Sequence, residues 1–238
     1  MTALPGEPPL FLCSGRARHL LTEDVHRTLS HIDGLVLDDH DENYLAVRWS
    51  GLSFTLSRIH PQNTENYRSL FCPDGPVAGA MLGVALGAHI EGGERIEPIL
   101  QQYLSLAAQI ASALGMDRIG WRPAELLIGL PQFASFAADY AAGGPFPALA
   151  LVRMEAMVDG IKTRGLAWFC GQELEFSAPH LSQNEIVKRV VRIVNDLVRN
   201  GPIGKTVSVD GLEEGERIML WPDEASSGAR LLGKSDPR

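Results

Sequence analysis

The segment 163–176 constrains the fold of this chain more than any other, because two strand-like runs flank a turn marked by glycines. In the second run, Leu174 and Phe176 alternate with Glu173 and Glu175. Successive side chains of a strand point to opposite faces, so this period of two predicts a half-buried strand. The two glutamates would share its outer face, with carboxylates about 7 Å apart.

Strand-like runs and two long amphipathic stretches together predict the fold class. Two alternating runs, 44–49 and 52–59, are joined by a two-residue link that favours a hairpin. An apolar stripe predicts a helix over about 96–114, and a capping-box pattern at Ser182 starts another that stops before Gly201. We therefore expect an α+β fold with mixed, largely antiparallel sheets packed against two long helices.

The domain organisation follows from where polar and proline-rich stretches interrupt these patterns. Segment 60–76 has this composition and predicts a long loop or an inter-lobe connection. We expect a single domain over 1–223 and a flexible carboxyl-terminal tail over 224–238. The domain would divide into two loosely similar lobes, 1–72 plus 77–143 and 147–223.

Two apolar segments suggest how copies of the chain could associate. The run 77–90 has glycine at every fourth position, which would line one helix face, but interior glycines cost a helix about 1 kcal/mol each. Its helical and buried-strand alternatives therefore stay open. Segment 147–158 alternates small apolar residues and predicts a strand. An apolar face of either segment could form a homodimer.

Composition limits the partners and the compartment. The 238 residues include 21 Lys and Arg against 29 Asp and Glu, a net charge of −8, which argues against nucleic acid and anionic membranes as partners. The longest apolar run is shorter than the roughly 20 residues that cross a bilayer. The amino terminus lacks the pattern of a secretory signal. We expect a cytoplasmic protein whose three cysteines are reduced: Cys13, Cys72 and Cys170.

Cofactor and metal motifs are incomplete in this chain. Segment 201–206 ends in Gly-Lys-Thr, as a phosphate-binding loop does, but it follows a helix, precedes a strand and has Arg199 where that loop has glycine. No two histidines have the one-turn spacing of a helical metal site. The acidic run 38–42 around His40 is typical of a solvated turn. We expect no cofactor and no metal.

Four residues in segment 163–176 form a candidate binding patch. Glu173 and Glu175 could act as acid and base if a pocket raised the pKa of one of them, although charged strand faces also protect sheet edges. Arg164 and Trp168 add a cation and an aromatic ring, which are enriched at protein interfaces. Cys170 is a candidate nucleophile that would need a histidine placed by the fold. We assign no residue a catalytic role.

The same segment carries a resemblance to a known family. Thr163-Arg-Gly-Leu166, Phe169, Gly171 and Glu173-Leu-Glu-Phe176, followed by a long helix that ends at a glycine, resemble the bacterial family called domain of unknown function 4261. The resemblance extends over most of the chain, because the other predicted elements follow in a similar order. Cys170 interrupts a Phe-Gly step that the family pattern has contiguous. A weaker similarity is to suppressor-of-fused-like bacterial domains, which resemble immunity or binding modules.

These resemblances imply no catalytic residue, cofactor or substrate. With the acidic composition and the absence of catalytic spacing, they predict a cytoplasmic, non-enzymatic bacterial protein that binds another protein as an immunity, adaptor or accessory factor. The alternative is a hydrolase or transferase that uses the Glu173 and Glu175 pair or Cys170.

Overall fold

The computed structural model describes residues 7–15, 22–40, 44–59, 64–72, 77–226 and 229–235. The chain divides into two compact units, Met1–Ala150 and Leu151–Arg238. Each unit has its own mixed sheet and its own helices, which confirms the predicted α+β class. The division lies close to residue 147, the predicted start of the second lobe.

The first unit contains an eight-stranded sheet in the order β2-β3-β4-β6-β1-β7-β8-β5. Its strands are β1 (Leu10–Ser14), β2 (Leu35–His40), β3 (Tyr44–Trp49), β4 (Leu52–Ile59), β5 (Arg68–Leu70), β6 (Ala78–Leu86), β7 (Arg118–Trp121) and β8 (Leu126–Gly129). Neighbours pair antiparallel except β5 and β8, which are parallel. The helices are α1 (Thr22–Leu29), α2 (Glu97–Ala113) and α3 (Leu130–Ala141), and α4 (Ala148–Leu151) follows at the boundary between the units.

The central strand β1 of this sheet is buried on both faces. On one face, Tyr103 of α2 donates a hydrogen bond to the Val84 carbonyl oxygen at 2.6 Å and stacks on the Phe54 ring. The other face carries a second apolar cluster, so the sheet has side-chain packing on both sides. The cluster consists of Phe11, Cys13, Met81 and Leu127.

The structure resolves the ambiguity of segment 77–90, because Ala78–Leu86 forms strand β6. A Cβ atom at Gly83 would overlap the Pro8 ring, so this glycine permits close packing across the sheet rather than along a helix. Within the predicted loop 60–76, Arg68–Leu70 forms the short strand β5. Three residues are too few to show the alternation that predicts a strand. The other parts of that loop, 60–63 and 73–76, lie outside the described residues.

The second unit contains a six-stranded sheet in the order β12-β13-β14-β11-β10-β9. Its elements are β9 (Arg153–Met157), β10 (Gly160–Arg164), α5 (Ala167–Cys170), β11 (Glu173–Ser177), α6 (Gln183–Asn200), β12 (Val207–Asp210), β13 (Arg217–Pro222) and β14 (Arg230–Ser235). Strands β11 and β14 are parallel, whereas the other neighbours are antiparallel.

Helix α6 covers one face of this second sheet. It begins at the predicted capping box, in which Ser182 and Glu185 bond each other's backbone donors. The buried stripe of α6 lies over the sheet face that carries Leu174 and Phe176, which are 1% and 0% exposed. Glu173 and Glu175 alternate with them and are only half-buried, which confirms the predicted half-buried strand.

The strand predicted over 147–158 is wrong at its start. Ala148–Leu151 forms the helical turn α4, and the strand begins only at Arg153. Alanine and leucine are strong helix formers, which favours the helical turn over the strand. An alternation of small apolar residues therefore did not distinguish a short helix from a strand here.

The flexible tail predicted from Glu224 is also wrong for the described residues. Glu224–Ser226 forms a 3-10 turn, and Arg230–Ser235 forms β14, which pairs with β13 on one side and β11 on the other. Residues 227–228 and 236–238 lie outside the described part. Within this strand, a Cβ atom at Gly233 would lie 2.8 Å from the Leu220 side chain and 2.9 Å from the Phe176 ring, so glycine permits this close packing.

Candidate functional site

The sheet face opposite α6 carries a continuous row of side chains, one from each of five neighbouring strands. Trp221 of β13 pairs with Leu232 of β14, which pairs with Glu175 of β11. Glu175 in turn pairs with Lys162 of β10, and Lys162 with Glu155 of β9. The row therefore changes from aromatic and apolar at one end to charged at the other. We call this face the outer face.

The charged end of the outer face is an ion-pair cluster around Glu155. Its carboxylate lies 3.1 Å from Arg153 Nε, 3.2 Å from Lys162 Nζ and 3.5 Å from Arg164 Nε. Partial burial raises the pKa of Glu155, but the Lys162 hydrogen bond and the nearby positive charges outweigh it, so the pKa lies below its ordinary value. A carboxyl group in this state stays ionised at neutral pH and is not a general acid.

Glu173 has a structural role at the start of α5. Its carboxylate accepts backbone hydrogen bonds from Gly165 at 2.7 Å, Ala167 at 3.2 Å and Leu166 at 3.3 Å. The Thr163 hydroxyl donates a fourth at 2.7 Å. The carboxylate thereby satisfies amides that the first turn of a helix leaves without partners. All of these donors belong to the same chain, so the Glu173 carboxylate stabilises the local fold and is not available to bind a ligand.

Glu175 has a different environment, although it shares the outer face with Glu173 as predicted. Its carboxylate lies 3.7 Å from Arg230 Nη1, and its side chain is 36% exposed. The two glutamates do not form a paired acid-base site, because Glu173 is held in the α5 turn while Glu175 faces a guanidinium.

The remaining candidates from segment 163–176, Arg164, Trp168 and Cys170, have different environments. Trp168 lies in α5 and is half-buried, and Arg164 contributes to the cluster around Glu155. Cys170 is 6% exposed, and its thiol donates to the carbonyl oxygens of Leu166 at 3.6 Å and Gln172 at 3.4 Å. A buried thiol whose polar neighbours are carbonyl oxygens behaves as a packed side chain rather than as a nucleophile.

The aromatic end of the outer face opens into a cleft of about 380 Å³, a size within the range of ligand sites. One wall is the irregular segment that leads into β12, and the other is the end of β13 with the 3-10 turn that follows. The cleft is lined by Gly204, Lys205, Thr206, Trp221, Pro222, Asp223, Glu224 and Leu232.

The charged groups of this cleft differ in how firmly they are held. Asp223 accepts a hydrogen bond from the Ala225 amide at 3.1 Å and lies 3.8 Å from Arg230 Nη1. Lys205 and Glu224 are exposed on opposite walls, and neither forms an ion pair with another residue in the described part of the chain. Within that part, the cleft thus offers a cation and an anion above the floor that Trp221 and Leu232 form.

Three residues that line the cleft, Gly204, Lys205 and Thr206, belong to the segment that resembles an incomplete phosphate-binding loop. In the structure, Lys205 and Thr206 precede a strand and not a helix, so no helix amino terminus points its amides at a ligand there. Sequence reasoning missed Trp221, although its alternation with Leu220 places it on the outer face. Its neighbour Leu232 lies in the segment predicted to be a tail, so the cleft could not be foreseen.

Strand β12 is the last strand on its side of the sheet among the described residues. The Gly211 amide donates to the Glu216 carbonyl oxygen at 2.9 Å, next to the register pair Asp210 and Arg217. In an antiparallel ladder, hydrogen-bonded and non-bonded pairs alternate, so Val207 and Val209 bond to β13. The backbone N–H and C=O of Ser208 therefore point to the open edge.

The bonding on the other side of β13 supports this assignment. The Asp223 amide donates to the Arg230 carbonyl oxygen at 2.8 Å, so odd-numbered residues of β13 face β14. Even-numbered residues, including Ile218 and Leu220, are left to bond β12, as the Val209 and Val207 register requires.

Metal-ligand clusters and membrane-spanning helices are both absent from the part of the chain that the structure describes. The described residues contain no group of three or more His, Cys, Asp or Glu side chains arranged to hold a metal ion. None of their helices combines the length and apolar character that a bilayer crossing needs. No family model, curated protein or solved structure matches this chain significantly.

Proposed function

We propose that this chain is a non-enzymatic protein-binding module of the immunity, adaptor or accessory type, and that it binds an extended segment of its partner along β12. The main support for this proposal is that the Ser208 backbone N–H and C=O point to an open strand edge beside the cleft. In this mode of recognition, main-chain hydrogen bonds supply affinity and adjacent pockets supply specificity.

The two edges of the second sheet differ in how well they accept another strand. Natural sheets block their edges with proline, lysine and other charged residues. The edge strand β9 carries Arg153 and Glu155 among its five residues, whereas β12 carries two valines, Ser208 and one charged residue, Asp210, at its end. The latter composition has high strand propensity and leaves the β12 edge accessible.

The hydrolase or transferase alternative finds less support in the same geometry. Glu173 caps α5, Cys170 donates to two carbonyl oxygens, and Glu175 lies beside Arg230. Turnover of a small molecule by the purified chain, abolished by Glu175→Gln, would favour the enzyme over the binding module.

The compartment belongs to the same proposal. We propose a cytoplasmic location, which the three free thiols support, because unpaired cysteines are usual in a reducing compartment. The resemblance to domain of unknown function 4261 stays a prediction, and the binding role does not depend on it.

A peptide-display experiment tests the proposal. A randomised peptide library is panned against the full chain, and the selected peptides are titrated by fluorescence anisotropy. Ser208→Pro removes the outward N–H while the Val207 and Val209 bonds to β13 remain, so we expect at least a tenfold loss of affinity. Ser208→Ala keeps the backbone donor and is the matched control.

Urea unfolding of both variants separates loss of binding from loss of fold. If Ser208→Pro folds with unchanged secondary structure and binds the selected peptides as tightly as Ser208→Ala, strand addition at β12 is wrong. Peptides that bind only to the parent chain and to Ser208→Ala support it.

A further inference from the structure

Building on the proposed strand addition at β12, we infer that the cleft beside this strand receives a basic side chain, lysine or arginine, from the bound segment. The position of the cleft sets the length of the side chain. An added strand lies about 4.8 Å beyond β12 and about twice that distance from β13, which carries Trp221. A side chain on the outer face must therefore cross β12 to reach the indole, and lysine and arginine have this length.

The floor of the cleft suits the apolar stem and the charged head of such a side chain. Trp221 and Leu232 are cross-strand neighbours on the outer face and are both half-buried. The stem can pack along Leu232, and the indole face attracts a cation electrostatically. An acidic side chain gains the apolar contact but is repelled by the same ring face.

The walls of the cleft also favour a cation. Glu224 is exposed at the rim with no ion-pair partner in the described part of the chain, and Asp223 lies beside it. Lys205 on the opposite wall opposes a bound cation, and Arg230 lies 3.8 Å from Asp223, so the attraction for a cation comes mainly from Glu224. The net charge of −8 on the whole chain further accelerates encounter with a basic partner.

The charges on the two walls allow a test with opposite signs. For peptides selected on the parent chain, Glu224→Gln should weaken binding about threefold, and Lys205→Gln should strengthen it by a similar factor. Trp221→Leu should weaken binding about fivefold through loss of the cation–π contact. Glu214→Gln is the matched control, because Glu214 is an exposed carboxylate that does not line the cleft.

A second arm uses a probe that does not need the β12 edge. N-acetyl-arginine methylamide is titrated against the chain, with its neutral analogue N-acetyl-citrulline methylamide as control, and the Trp221 indole N–H signal is followed by NMR. The Trp221→Leu spectrum assigns that signal. We expect the arginine probe to shift it in the parent chain, with a smaller shift in Glu224→Gln and little effect from citrulline.

The outcomes separate this inference from the proposed function. Peptides that require the Ser208 N–H but prefer acidic residues, and that weaken with Lys205→Gln, overturn the basic-side-chain inference and leave strand addition intact. Peptides that tolerate Ser208→Pro overturn strand addition. Equal shifts from the arginine and citrulline probes, or none from either, overturn the cation site whatever the peptides show.

Discussion

Arg189 and Glu216 form a bidentate ion pair inside the second unit, with Nε···Oε1 at 2.5 Å and Nη2···Oε2 at 2.9 Å. Their side chains are 4% and 6% exposed. The Glu216 carboxylate also accepts hydrogen bonds from the Leu212 amide at 2.9 Å and the Ser235 hydroxyl at 3.0 Å. This pair therefore joins α6, the loop before β13 and the last residue of β14.

The buried pair predicts a specific loss of stability in acid. The hydrogen bond from Arg189 lowers the pKa of Glu216 to about 2, against an ordinary value of 4.5. Because the folded pKa is depressed, the stabilisation is complete above about pH 5 and is lost as the pH falls towards 2. Its size is roughly 3 kcal/mol. Urea unfolding at steps between pH 6 and about pH 2 measures this loss.

The variant Glu216→Gln should remove most of this pH dependence, and it should be less stable at pH 7 because the buried Arg189 loses its bidentate partner and keeps only the exposed Glu213 carboxylate at 3.8 Å. The double variant Arg189→Met with Glu216→Gln removes both charges and should recover part of the stability. An unchanged acid slope in Glu216→Gln would show that other carboxylates determine it.

Replacing Glu173 or Glu175 with glutamine should lower the stability of the chain by different amounts. Glu173→Gln places an amide NH₂ against backbone donors and should destabilise the chain by about 2 kcal/mol. Glu175→Gln removes a half-exposed ion pair and should cost about 0.5 kcal/mol or less. Chemical denaturation of both variants measures the difference. Equal effects would contradict the capping role of Glu173.

Local patterns were enough to predict much of the fold. The β3–β4 hairpin, helix α2, the α6 capping box and the alternation in β11 each depend on neighbours within a few residues. Strand β14 could not be predicted in this way, because it lies between β13 and the parallel strand β11, which is more than 50 residues earlier in the chain. Parallel pairing joins distant segments and leaves no local signal.

The Arg189–Glu216 pair and the cleft were harder to predict, because both depend on residues that are distant in the sequence. Arg189 lies three residues after Ile186 on the buried stripe of α6, and a charge there requires a partner. That partner, Glu216, is 27 residues away in a turn. Likewise, Trp221 becomes part of a cleft only because β14 places Leu232 beside it.

Two glycines of the second unit should differ in their tolerance of alanine. At Gly171, φ is +81° and the space that a Cβ atom would enter is open, so Gly171→Ala should cost about 1 kcal/mol of backbone strain. At Gly160, a Cβ atom would overlap the Phe176 carbonyl oxygen in the next strand, and Gly160→Ala should cost about 3 kcal/mol. Thermal unfolding distinguishes them. Gly171→Asn, which tolerates the left-handed region, should recover stability relative to Gly171→Ala.

The three cysteines should react with thiol reagents in a fixed order. Burial raises the pKa of Cys13 to about 12, and its side chain is 0% exposed, so almost no thiolate forms at pH 8. Cys170 is buried, with its thiol against the carbonyl oxygens of Leu166 and Gln172, whereas Cys72 is only half-buried. We expect iodoacetamide to modify Cys72 first in the native chain and the other two only in urea.

Mass spectrometry of peptides from chains labelled with and without urea measures this order. A Cys72→Ser variant should be nearly inert in the native state, because the remaining thiols are protected by packing rather than by competition for reagent. Rapid native labelling of Cys170 would mean that its thiol is accessible and partly ionised. That result would favour the hydrolase or transferase alternative, since a packed thiol that donates to Leu166 and Gln172 cannot act as a nucleophile.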